Sequence, residues 1–129
     1  MGVEAAIYTQ LSGYAGLTAL VGTRIYPRLL PQSSSKPAVV YSRVSSERFS
    51  AFSTDSGVVK ARMQCDVYAA TYDAALAVRE QVRGALQRYS VDSPLKVFDT
   101  YILNEIDLYD SETELHHLVL DFEINYQET

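Results

Sequence analysis

The sequence predicts an α+β fold, an antiparallel or mixed sheet of about four to five strands with helices packed on one face. Three observations predict it. Residues 58–69 alternate apolar and polar almost without a break, which is the period of a half-buried strand. Residues 71–89 carry apolar side chains at helical spacing. Two further strand-like segments flank the polar stretch Asp110-Ser111-Glu112-Thr113-Glu114 and are placed to pair as a hairpin. With 129 residues, one domain over 1–129 is expected, burying roughly two-thirds of the surface that the unfolded chain exposes.

In chain order, Val3, Ile7 and Leu11 stand four residues apart and stack on one face of a short helix that ends at Ser12-Gly13. Residues 17–21 supply another helical turn closed by Gly22, and Ile25-Tyr26-Pro27 is a short extended piece that proline stops. Residues 31–37, with Gln32-Ser33-Ser34-Ser35-Lys36 at their centre, have nothing apolar to bury and form a surface loop. Residues 38–46, rich in Val and Tyr, make a strand. Residues 47–57 are too long for a tight hairpin, so a projecting loop is expected, returning at Asp55-Ser56-Gly57.

In the next strand Val59, Ala61, Met63, Cys65, Val67 and Ala69 take the buried face, and Lys60, Arg62, Gln64, Asp66 and Tyr68 the other. Thr71 is placed to cap a helix whose first turn holds Asp73 and whose apolar stripe is Ala75, Val78, Val82, Ala85, Leu86 and Tyr89. Residues 90–94 break it before two strands at about 96–109 and 115–126. Phe98, Ile102 and Ile106 share a parity in the first, and Leu118, Leu120, Phe122, Ile124 and Tyr126 in the second, so one sheet face is expected to be apolar. The opposite face is then expected to collect Asp99, Glu105, Asp107, Asp121 and Glu123, balanced in part by Lys60 and Arg62.

The chemistry these residues allow is limited. With 11 Lys and Arg against 16 Asp and Glu, the formal charge is −5, which argues against a basic face that neutralises duplex phosphates. Cys65 stands alone and shares parity with Met63 and Val67, so it reads as a small core residue in a reducing compartment. His116 and His117 are strand neighbours that point to opposite sides and cannot converge on one metal ion. Six glycines form neither a phosphate loop nor a dinucleotide fingerprint, and no serine sits in a G-x-S-x-G turn. The acidic face offers oxygen ligands for a hard cation, without an EF-hand loop, so a metal-dependent enzyme is the reading from another class.

No catalytic residue, cofactor or metal is therefore expected. The start Met1-Gly2-Val3-Glu4 lacks the pattern of an export signal, and no apolar run approaches the roughly 20 residues of a membrane span, so a soluble protein away from membranes is expected. Ten Tyr with no Trp, and Phe49 and Phe52 in the presumed loop, point instead toward a protein partner.

Several segments together resemble a known family. They are Leu20-Val21-Gly22-Thr23-Arg24-Ile25-Tyr26-Pro27, Pro37-Ala38-Val39-Val40-Tyr41, and Arg62-Met63-Gln64-Cys65-Asp66-Val67-Tyr68-Ala69-Ala70-Thr71-Tyr72. Asp107-Leu108-Tyr109-Asp110-Ser111-Glu112-Thr113-Glu114-Leu115-His116 and Leu120-Asp121-Phe122 follow. In order and spacing the chain resembles the tail-terminator (tail-completion) proteins of long-tailed bacteriophages and prophages.

That resemblance implies a small α/β structural protein of the virion tail and neck, assembled in the bacterial host cytoplasm. It implies a hexameric ring on the head-proximal end of the tail tube, which ends tube polymerisation and meets the head-tail connector or stopper. A head-completion or neck connector protein is the alternative with a different partner. A chain of this length has a radius of gyration of about 14 Å and behaves as a body about 35 Å across, so six in a ring leave an opening that passes a duplex. On this reading Asp99, Glu105, Asp107, Asp121 and Glu123 line the lumen and repel DNA as it passes through without sequence-specific binding. Arg48, Phe49, Phe52, Arg43 and Arg24 make ring or partner contacts.

Overall fold

The elements follow in the order α1 (Val3–Ser12), α2 (Ala15–Val21), β1 (Ile25–Pro27), β2 (Ala38–Ser50), β3 (Asp55–Ala69), α3 (Tyr72–Leu86), β4 (Lys96–Asp110) and β5 (Leu115–Gln127). The structure, a computed structural model, describes residues 2–50 and 55–128, the side chains of residues 49, 50, 55 and 56 excepted. The strands make one mixed sheet in the spatial order β1-β2-β3-β5-β4. β1 runs parallel to β2, and every other neighbouring pair is antiparallel.

The strict alternation of β3 has its physical counterpart in burial. Val59, Ala61, Met63, Cys65, Val67 and Ala69 are all buried, facing the same core as Leu118, Leu120, Phe122, Ile124 and Tyr126 of β5. The helices close this face. α1 contributes Val3, Ala6, Ile7 and Leu11, α2 Leu17 and Val21, and α3 Ala75, Val78, Val82, Ala85 and Leu86, with Tyr89 packed at the margin. α3 begins as its sequence dictates, because the Thr71 hydroxyl accepts a hydrogen bond from Ala74 N at 3.2 Å. α2 stops at Gly22, whose φ of 60° suits a residue without Cβ. None of the helices among the described residues is long and apolar enough to cross a membrane.

Cys65 lies fully inside this core. Burial, and after it the carboxylates of Asp66 and Asp121, push its thiol pKa up, so the group stays protonated and packs as a small apolar side chain.

Two expectations are corrected. Residues 47–57 do not form one projecting loop: β2 and β3 go on pairing through Glu47↔Lys60, Arg48↔Val59 and Ser50↔Asp55. The main-chain hydrogen bonds of this extension need no apolar pattern, which is why side-chain alternation does not announce it. Residues 51–54 lie outside the described residues, so the assignment of Phe52 falls there, and that of Phe49 concerns a side chain that is likewise not described.

The second correction concerns β4. Phe98 and Ile106 do not face the core; they are 43% and 41% exposed, while Val97 and Thr100 are buried. Register shifts between Val97 and Asp99 and between Ile102 and Asn104 each insert one residue, and each reverses the parity of everything beyond it.

Candidate functional site

The same two bulges decide where the acidic residues go. Residues opposite one another in the ladder share a face, so Asp121 and Glu123 lie with Gln64 and Arg62 of β3 on the face away from the helices. Asp99, opposite Asn125, belongs to that open face by register. Glu105 and Asp107, opposite Leu120 and Leu118, belong to the helix-bearing face instead. The expectation that Asp99, Glu105, Asp107, Asp121 and Glu123 share one face is thus corrected, and the bulge between Ile102 and Asn104 is the physical reason.

Four of the five carboxylates have a cation beside them. Asp121 Oδ2 is 2.9 Å from Arg62 Nη2, Asp99 Oδ2 is 2.9 Å from Arg88 Nη1, and Asp107 Oδ1 is 2.7 Å from Arg79 Nη1. Glu123 sits 3.9 Å from Lys60 Nζ and accepts a hydrogen bond from the Tyr101 hydroxyl. Glu105 is exposed and forms no ion pair among the described residues. On the open face Asp99, Asp121 and Glu123 therefore each have a cation beside them. Oxygen ligands drawn from Glu105, Asp107, Asp121 and Glu123 are divided between two faces of the sheet and do not meet at one point.

Asp107 ties the far end of β4 to α3. Besides Arg79 it holds the Tyr72 hydroxyl, which donates to Asp107 Oδ2 at 2.8 Å. That hydrogen bond, and then the carboxylate charge, raise the Tyr72 phenol above its ordinary value near 10. A raised phenol stabilises the fold fully below the unfolded value, and the contribution is lost as pH rises through the folded value. In an alkaline absorbance titration the component removed by Tyr72→Phe is expected to ionise later than a free tyrosine. Asp107→Asn should bring it back toward the ordinary value, and a component unaffected by that change would show that Asp107 is not the cause.

The histidines lie on opposite faces, as neighbours on a strand must. His116 sits between Tyr72 and Tyr109, at ring separations of 5.6 and 4.8 Å. His117 stacks on Tyr68 at 4.3 Å, with Nε2 3.6 Å from Asp66 Oδ1.

Of the arginines assigned to partner contacts, Arg24 works inside the chain: Nε donates to Pro37 O at 2.9 Å and Nη2 to Leu20 O at 3.3 Å. Arg43 joins β2 to α1 through Glu4 at 3.1 Å. Arg48 grips Glu128 with two hydrogen bonds, at 3.2 and 2.7 Å, and this holds the Glu128 carboxyl below the usual carboxylate range. Arg43 and Arg48 are exposed on the part of β2 that extends past β1.

Sequence reasoning missed one surface. Leu103, Ile106, Leu108 and Tyr109 are 47%, 41%, 49% and 56% exposed at the outer end of β4. Their apolar character was legible, but without the bulges Ile106 reads as core.

Comparison with known proteins adds to this geometry. The chain matches the family model of Tail completion protein gp17 over residues 5–127. No curated protein matches it. Its fold is similar to that of a chain in the solved virion of the native gene transfer agent (GTA) particle, with a TM-score of 0.78 at 22% identity, covering 97% of this chain and 94% of that one. Since the family match runs from within α1 to the last residue of β5, taking in the whole sheet and the helices over it, the chain belongs to the Tail completion protein gp17 family.

Proposed function

We propose that this protein is a non-enzymatic structural component of a phage-type virion. It closes the head-proximal end of the tail tube as a ring of six, stops tube growth and offers the surface on which the head connector or stopper docks. The observation that carries this reading is the family match across residues 5–127, which spans nearly the whole domain. The resemblance of the fold to a virion chain supports it.

The open sheet face is the side we assign to the lumen, with the helix layer outward. Asp99, Asp121 and Glu123 then belong to the lining, and Glu105 and Asp107 leave it because they stand on the helix side. Their pairing with Arg62, Lys60 and Arg88 offsets the charge of these three acids. Repulsion of the passing phosphates comes from the whole chain, whose −5 charge is repeated in every subunit.

Native mass spectrometry with and without purified tail-tube protein tests the assignment. The expected result is a species of six chains that binds tube ends and arrests their elongation. A protein that leaves tubes uncapped but binds the portal side belongs instead to the neck, and one that binds neither loses the proposal altogether.

A further inference from the structure

Both edges of the sheet are only partly covered. β1 pairs with Val39, Val40 and Tyr41 alone, so over residues 42–50 β2 has no strand on its outer side among the described residues. At the other edge, the segment after α3 occupies the start of β4. Val91 and Val97 exchange two main-chain hydrogen bonds, at 3.1 and 2.8 Å, Arg88 N donates to Thr100 O at 2.6 Å, and Ile102 N donates to Gln87 Oε1 at 2.9 Å. Past Ile102 this protection ends. Every residue over 103–110 is exposed, and Leu103, Ile106, Leu108 and Tyr109 are among them. A long apolar edge without a neighbour is a template for another strand.

We propose that residues 103–110 of β4 take as their neighbour residues 42–50 of β2 from a second copy of this chain. The two free lengths match. Strand direction matches as well: β2 and β5 run one way and β3 and β4 the other, so copies related by rotation about an axis along the strands bring β2 and β4 together antiparallel.

Charge selects this pair over the symmetric one. Residues 103–110 carry Glu105, Asp107 and Asp110 and no cation, whereas 42–48 carry Arg43 and Arg48 against Glu47. Two β4 edges set against each other would align six carboxylates, while β2 against β4 aligns opposite charges.

Backbone alternation gives the register. On β2 the outward main-chain groups start from Tyr41 O, which accepts from Arg28 N at 2.9 Å, and the bulge between Arg43 and Ser45 carries them on to Ser46 and Arg48. On β4 they start from Ile102 N, and the bulge there carries them to Glu105 and Asp107. Setting Arg48 opposite Glu105 also sets Ser46 opposite Asp107 and Ser45 opposite Leu108. Every pair then has both members on the same face of the combined sheet.

The contact joins two unlike edges, so it repeats from copy to copy and closes a ring or continues as a filament. It names the surface through which the proposed ring would close, and rests on that reading only for the number of copies.

The test is oxidative cross-linking of the double variant Ser45→Cys/Leu108→Cys, since these positions face each other at a close non-hydrogen-bonded pair and the native Cys65 is buried. The expected result is a disulfide-linked ladder at integer multiples of the chain mass, with neither single variant giving one. A dimer from Leu108→Cys alone would show β4 against β4 and overturn the proposal. Native mass spectrometry of the same samples separates the two readings. Oligomers without a ladder overturn the edge pairing and leave the ring standing; a ladder from protein that fails to cap tubes keeps the pairing and removes the tail-tube role. A soluble, folded variant that stays monomeric and unlinked at high concentration and on tubes also overturns the pairing.

Discussion

Phe122→Ala is expected to remove roughly 3–5 kcal/mol of stability, a large share of the roughly 5–15 kcal/mol typical of a domain. Phe122 is fully buried and lies opposite Met63 in β3 and Ile102 in β4, at the centre of the sheet and against the shared helical core. Truncation leaves a void beneath β5, which is hydrogen-bonded to β3 on one side and β4 on the other and cannot move inward to fill it. The melting temperature of a chain this long should fall by roughly 10–20 °C. Urea or thermal unfolding followed by circular dichroism measures it. A loss below about 1 kcal/mol would mean that the sheet and helices relax around the site, against the close packing described here.

Arg62→Met is expected to destabilise by roughly 1–3 kcal/mol, more than Asp121→Asn does. The reason lies in the unequal burial of the partners. Asp121 is buried, with its side chain only 6% exposed, while that of Arg62 is 48% exposed. Solvent screens the attraction between them, so its Coulomb energy is a poor measure of what is lost. Removing Arg62 leaves the buried Asp121 carboxylate between Gln64 and Asn104 without its cation, and Asp121 Oδ1 already has no hydrogen-bond partner among the described residues. Removing the charge of Asp121 instead leaves an arginine that water can reach. Equilibrium unfolding of the two variants at neutral pH checks the order, and an equal or reversed order would show that the pair acts through its attraction after all.

The parts of the fold legible in the sequence are those where one face of an element is wholly buried. β3 reads correctly because the helices cover all of its apolar face, so Val59 through Ala69 keep an unbroken period of two. α3 reads correctly because its cap and its stripe agree. β4 reads wrongly at Phe98 and again past Ile102, because a bulge is a property of two strands in register, and nothing in Phe98 or Leu103 marks either one as an inserted residue. The error passes straight to the site: Glu105 and Asp107 change faces, and Ile106 leaves the core for the surface.

The extension of β2 and β3 was hidden for a related reason. Glu47 and Arg48 pair with Lys60 and Val59 through main-chain atoms that every residue possesses. Arg43 and Arg48 were recognisable as surface cations, but their partners Glu4 and Glu128 stand 39 and 80 positions away in the chain, where only the folded sheet brings them near.

The bulge at Leu103 gives β4 one residue that the ladder does not use, and so one place where its length can change. A point substitution at Ile106 or Leu108 alters one exposed side chain. Deleting Leu103 would close the bulge and leave every later pair in place, with Glu105 and Asp107 still opposite Leu120 and Leu118, whereas losing a residue between Asn104 and Asp107 with the bulge kept would turn Asp107 to the open face and detach it from Tyr72 and Arg79. A change of length is therefore tolerated at Leu103 and rejected along 104–110, so family members should place any one-residue gap in this strand at the bulge.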